Sequence, residues 1–153
     1  MHQIVYRDLW RYKYQLMEPY EVDTGLAIGD RITTDRNWVV LEADGRIKLK
    51  ERYAWDGPSG PTVDTHTFMR GSLVHDALYQ LMRNGQLNPE RWRKSADQPL
   101  RQHCLEDDMS PVRAWYVYRA VRLKGKRSTN PRPDRETKVA PRPRLGSEEV
   151  DLP

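Results

Sequence analysis

The chain changes its hydrophobic period once, at DGPSGPTVD (Asp56–Asp64), and that change bounds the folds open to it. Before this glycine- and proline-rich loop, apolar and polar residues alternate at short range. After it, apolar residues recur three and four apart. Strands that all come first and helices that all come last segregate into an α+β arrangement, not the interleaved order of a parallel sheet.

Ahead of the loop, VYRDLWRYKYQLMEPYEV reads as edge or half-buried strands. WVVLEADGRIKLKERYAW reads as a hairpin, with strands Trp38–Glu42 and Ile47–Tyr53 flanking Ala43-Asp44-Gly45-Arg46. Its Asp-Gly pair is a strong turn signal. In the second strand Ile47, Leu49 and Glu51 alternate with Lys48, Lys50 and Arg52, which leaves one wet face. Three helices are expected behind the loop. Asp64 or Thr65 caps the first, which runs to about Arg83 and stops at Asn84-Gly85. Asn88-Pro89-Glu90 supplies the cap, first position and first-turn acid of the second. Pro99 lies inside that pattern and is expected to kink or split it. Ser110-Pro111 opens the third, which is expected to end at Gly125, with Trp115, Tyr116 and Tyr118 read as packing residues in preference to a lipid-facing platform.

These readings make 1–125 one domain, with a β portion at 1–55 and a helical portion at 56–125, followed by a flexible tail at 126–153. From Lys124 onward the chain holds eight Lys/Arg, five Asp/Glu and five prolines. So few apolar side chains cannot fold alone; Val150 and Leu152 would be weak anchors if the tail docks on a partner. The rest is nearly neutral, so no basic stripe for nucleic acid is expected. Cys104 is the only cysteine, which excludes an internal disulfide. No run reaches the roughly 18 apolar residues of a membrane span, and the N-terminus lacks a signal-peptide layout. The expectation is synthesis in the cytoplasm and no secretion by a signal peptide.

The residues that promise chemistry sit in SLVHDALYQLMRNG, Ser72 to Gly85. Leu78, Leu81 and Met82, with Phe68 and Val74, form its buried side. His75 and Tyr79 are four apart and share a face, while Asp76 points about 100° away from His75. A histidine base needs an acceptor on its other ring nitrogen to fix the tautomer, and Asp97 in the second helix is the candidate. A hard cation would need more oxygens than Asp76, and Asp56-Gly57 offers a carboxylate and a carbonyl. Taken singly, each residue has a plain structural role: a core histidine, a helix cap at Asp64, a tyrosine that fills space.

Taken together, DGPSGP, then F-x-x-x-S-L-V-H-D-A-L-Y (Phe68–Tyr79), then S-A-D (Ser95–Asp97) resembles the microbial branch of the phospholipase A2 superfamily. In that branch a loop D-G-C-S-G-P precedes a helix carrying C-x-x-H-D-x-x-Y, and a second helix supplies the partner aspartate. The later string from Ala114 to Gly125 also has a counterpart there, so the likeness spans about Tyr53 to Gly125. Small proteins of phages and prophages are similar in the Y-A-W-D-G-P-S-G-P and V-H-D-A-L-Y segments. The resemblance implies a helical phospholipase A2-like core with His75 as general base, Asp97 holding the imidazole and Tyr79 bonding toward Asp97. It implies Ca2+ on Asp56, Asp76 and the Gly57 carbonyl, and membrane phospholipid as substrate. Pro58 and Ser72 replace the two cysteines that tie loop to helix in the family, so here Pro58 and Pro61 are left to stiffen the loop. Pro99, two residues past Asp97, is expected to displace the partner carboxylate.

Two function classes follow. One is a phage-encoded, calcium-dependent phospholipase A2-like hydrolase. The alternative is a catalytically degenerate virion protein of head or tail that keeps the fold as a scaffold, its β portion and tail packing against other virion proteins. A His-Asp metal phosphohydrolase would need a separate metal-binding histidine, and His66 lies only nine residues before His75 on the same helix.

Overall fold

The computed structural model describes residues 3–9, 14–57 and 66–131. The readings for the rest of the loop, the Asp64 or Thr65 cap and the tail from 132 onward lie outside these residues. The layout is α+β, antiparallel strands followed by three helices.

Asp44-Gly45 makes the expected hairpin. Gly45 N–H donates to the Glu42 carbonyl at 3.0 Å, and Asp44 Oδ1 accepts from Arg46 N–H at 3.0 Å. The hairpin joins β5 (Val39–Leu41) to β6 (Arg46–Leu49). Ile47 and Leu49 are buried while Lys48 and Lys50 face water, as the alternation requires. The hairpin is the centre of a four-stranded sheet ordered β3 (Tyr20–Asp23), β6, β5, β4 (Ile32–Thr33). The expected strand Ile47–Tyr53 stops at Leu49, and its last four residues form a turn. Tyr53 N–H donates back to the Lys50 carbonyl at 3.1 Å and Arg52 takes a φ of 69°. That turn redirects the chain into β7 (Ala54–Trp55), which pairs with β2 (Tyr14–Leu16) in a second sheet ordered β1 (Tyr6–Asp8), β2, β7. Glu51 and Arg52 are exposed at this corner.

Helix α1 (His66–Arg83) is the central element. Phe68, Val74, Leu78, Leu81 and Met82 are buried, as expected. Most of its buried side meets the sheets in one core with Leu16, Leu41, Ile47 and Trp55. Phe68 joins a smaller cluster with Leu100, Cys104, Ala114 and Val117 of the other two helices and Met109 of the turn between them. In this apolar setting burial pushes the Cys104 thiol up to about 12, so it stays an unreactive thiol at neutral pH.

Helix α2 (Pro89–Glu106) starts as the sequence requires, with the Asn88 side chain accepting from the backbone N–H groups of Glu90 and Arg91 at 2.9 and 3.1 Å. It runs through Pro99 without a break, contrary to expectation. Pro99 is buried, and Leu100 beside it lies against α1, where Gly71 leaves room: a Cβ there would stand 3.0 Å from the Leu100 carbonyl oxygen. Burial along this seam outweighs the one backbone bond that proline removes. Arg70, 5% exposed, clamps the far end of α2 through Glu106 at 2.6 Å and Asp107 at 2.9 Å. Helix α3 (Pro111–Ser128) passes Gly125, where an end was expected, and continues for another turn. Trp115 and Tyr116 are not packing residues; both are more than half exposed.

Candidate functional site

Asp97 is the centre of the site. It is fully buried, and side chains from both other helices converge on it. From α1, His75 Nε2 lies 3.1 Å from Oδ1 and the Tyr79 hydroxyl donates to the same oxygen at 2.7 Å. From α3, an Arg122 guanidinium N–H donates to Oδ2 at 2.8 Å. Pro99 does not displace the carboxylate: the helix continues through it and Asp97 keeps its contacts to both other helices. His75 and Tyr79 share a face as their spacing requires, with ring centroids 4.0 Å apart.

The charge states follow from these contacts. Burial by itself would raise the Asp97 pKa, but hydrogen bonds from His75, Arg122 and Tyr79 outweigh it and hold the carboxyl below the usual range. An ionised Asp97 has no proton to give, so His75 Nε2 carries the hydrogen and the neutral ring keeps its lone pair on Nδ1. Nδ1 faces Asp76, with Oδ1 3.8 Å away, too far for a hydrogen bond. Burial pushes the His75 pKa down, yet the Asp76 and Asp97 carboxylates push harder and it sits above its ordinary value. Burial and the Asp97 carboxylate both raise the Tyr79 pKa, so its hydroxyl remains a donor.

Strand β7, which ends just before Asp56, is tied to α1 without a disulfide. Trp55 Nε1–H donates to Ser72 Oγ at 3.2 Å, and Ser72 Oγ donates to the Met69 carbonyl at 2.9 Å. Ser72 occupies the position where the resembled family has its helix cysteine, one turn before Asp76. Gly57 lies against the Tyr14 ring with a φ of 68°; a Cβ would stand 2.5 Å from Tyr14 Cε2. Any side chain there would push the Asp56-Gly57 segment off the Tyr14 ring.

Asp56 is exposed and Asp76 partly so, with 28% of its side chain accessible. Among the described residues no three His, Cys, Asp or Glu side chains form a ready-made metal cage. The donors that the resemblance singles out, the Asp56 and Asp76 carboxylates and the Gly57 carbonyl, are all hard oxygens. That set suits Ca2+, which commonly takes backbone carbonyls alongside a few carboxylates.

Sequence reasoning placed His75, Tyr79 and Asp97 together, and the structure does the same. It missed Arg122 and Gly125. Arg122 reaches Asp97, and Gly125, one turn on, faces the Tyr79 hydroxyl so closely that no Cβ fits. The signal was present in A-V-R-L-K-G, where arginine and glycine stand three apart and therefore share a helix face. Compared with family models, curated proteins and solved structures, the chain finds no match.

Proposed function

We propose that this chain is a phospholipase A2-like hydrolase that cleaves a phospholipid ester, with His75 as general base. The observation that carries the reading is the buried Asp97 on His75 Nε2, which leaves the Nδ1 lone pair on the side of Asp76 and away from the helix core. A histidine that merely fills a core needs neither a buried carboxylate on one nitrogen nor a second carboxylate beside the other. In this scheme His75 Nδ1 takes a proton from water as its oxygen attacks the ester carbonyl. The acyl C–O bond then breaks, and the imidazolium returns the proton to the leaving alkoxide, giving fatty acid and lysophospholipid. Asp97 holds the ring and balances its transient charge, a contribution typically of about 10²–10⁴ in rate for base catalysis. Arg122 and Tyr79 keep Asp97 from turning or taking the proton. Asp56, Asp76 and the Gly57 carbonyl would hold Ca2+, which when bound supplies positive charge for the developing oxyanion and the lipid phosphate.

The test is fatty-acid release from mixed phospholipid vesicles, with Ca2+ or with chelator, for the wild type and His75→Ala. Release that requires both the ion and His75 is the expected result. A folded wild type that neither releases fatty acid nor binds Ca2+ by calorimetry would sink this reading and leave the virion scaffold in its place.

A further inference from the structure

Large apolar side chains that face water are few among the described residues, and four of them lie on α3. Val112 is 78% exposed, Trp115 54%, Tyr116 52% and Leu123 77%. At 3.6 residues per turn they fall, with Arg119, within an arc of about 100°. Ala114 and Val117 occupy the opposite side, where they pack with Phe68, Leu100 and Cys104. The stripe is therefore an outward ridge and no part of the core.

Its charge is one-sided. Between Pro111 and Ser128 the helix carries Arg113, Arg119, Arg122, Lys124, Lys126 and Arg127 and no acid at all. Lys126 and Arg127, which the sequence reading gave to the tail, belong to this helix. Arg122 is turned inward to Asp97, and the Arg119 guanidinium lies 5.9 Å over the Trp115 ring at the stripe itself. Apart from the Trp115 indole N–H and the tyrosine hydroxyls, residues 111–127 carry no neutral hydrogen-bonding side chain.

We propose that this face of α3 docks on an anionic lipid surface. A helix with an apolar stripe holding Trp and Leu, bordered only by Arg and Lys, lies flat in a bilayer interface, with the stripe among the acyl chains and the cations at the headgroups. The aromatic rings suit the interfacial depth because each joins an apolar body to a polar edge. A nucleic acid would leave the exposed Val112 and Leu123 without apolar cover, whereas acyl chains cover them. Among the described residues no helix is long and apolar enough to cross a membrane, and the contact proposed is a peripheral one. The proposal stands apart from the hydrolase reading, since it needs neither His75 nor Ca2+.

The experiment is co-sedimentation of the full chain, in chelator, with vesicles of ether-linked phosphatidylcholine alone or mixed equally with ether-linked phosphatidylglycerol. Ether chains cannot be hydrolysed, so binding is read without chemistry. The wild type should bind the anionic vesicles and lose them as salt rises. Trp115→Ser/Leu123→Ser, whose changes are both at exposed positions, should keep its circular dichroism and bind at least tenfold more weakly. Arg119→Glu/Lys126→Glu should lose the preference for anionic vesicles, and His75→Ala should bind like the wild type. A wild type that ignores both vesicles, or a Trp115→Ser/Leu123→Ser chain that binds as tightly, overturns the proposal. So does a wild-type dimer, seen by sedimentation velocity, that this double variant dissolves while vesicle binding is unchanged. Vesicle binding in a chain that releases no fatty acid from ordinary phospholipid would sink the hydrolase reading alone.

Discussion

Asp97→Asn is expected to cost both stability and activity, each by a large amount. The substitution keeps the shape but removes the charge that faces Arg122, and its amide N–H must point at one of the three donors that now bond to Asp97. Breaking one partner of a buried ion pair typically costs about 3–5 kcal/mol. The imidazole also loses the carboxylate that keeps its hydrogen on Nε2, so fatty-acid release should fall by on the order of a thousandfold. A pH series gives an independent reading. The Asp97 pKa is held low in the folded chain, so the stability it contributes is complete above the unfolded value of about 3.9. That stability is lost as pH falls through the lower, folded value. Urea midpoints of the wild type should therefore drop on acidification below about pH 4, and Asp97→Asn should show a shallower drop from a lower starting point. Equal midpoints at neutral pH would mean that the three donors are satisfied without the charge.

Gly125→Ala should be destabilising although the position is inside a helix. On an open helix face, replacing glycine by alanine stabilises by roughly 1 kcal/mol. Here the new methyl would fall within the contact radius of the Tyr79 hydroxyl, with Tyr79 Cζ at 3.2 Å, and Tyr79 is only 2% exposed. Overpacking of this kind typically costs about 1–3 kcal/mol. Relief requires α3 to back away, which stretches Arg122 from Asp97, or Tyr79 to leave Asp97; either loosens the hold on His75. A double-mutant cycle with Tyr79→Phe identifies the contact, because removing the hydroxyl clears the space the methyl needs. The expected coupling is favourable: Gly125→Ala should cost less in the Tyr79→Phe background than in the wild type. Additive effects on the thermal midpoint would show that α3 does not press on Tyr79.

These two residues also mark where sequence reasoning stopped. His75 and Tyr79 could be paired from their spacing on one helix, because i and i+4 meet whatever the rest of the chain does. Asp97 was singled out as the carboxylate embedded in a helix, and the family resemblance agreed with it. Arg122 and Gly125 needed a third helix to come in at one particular rotation. Nothing in the local pattern of α3 says which of its faces meets α1, since alternating cations and apolar residues run along its whole length. The same gap explains the exposed Trp115 and Tyr116. Aromatic residues usually pack, and only the placement of Ala114 and Val117 against the smaller core shows that here they do not.

By itself the sequence determined which segments become strands and which become helices, and where most of the helices begin. These are local matters: period two or 3.6, an Asp-Gly turn, and Asn88-Pro89 and Ser110-Pro111 as starts. It also determined the order in which the histidine, tyrosine and aspartate of the site are carried. Tertiary structure decided the rest. It ended the strand from Ile47 at Leu49, because by turning at Arg52 the chain gains a new strand partner for Ala54–Trp55 in β2. It continued α2 through Pro99 without splitting it, because apolar burial against Gly71 and α1 outweighed one missing backbone bond. And it brought three helices onto one buried carboxylate, a choice set by how their side chains interlock across space and by no spacing along the chain.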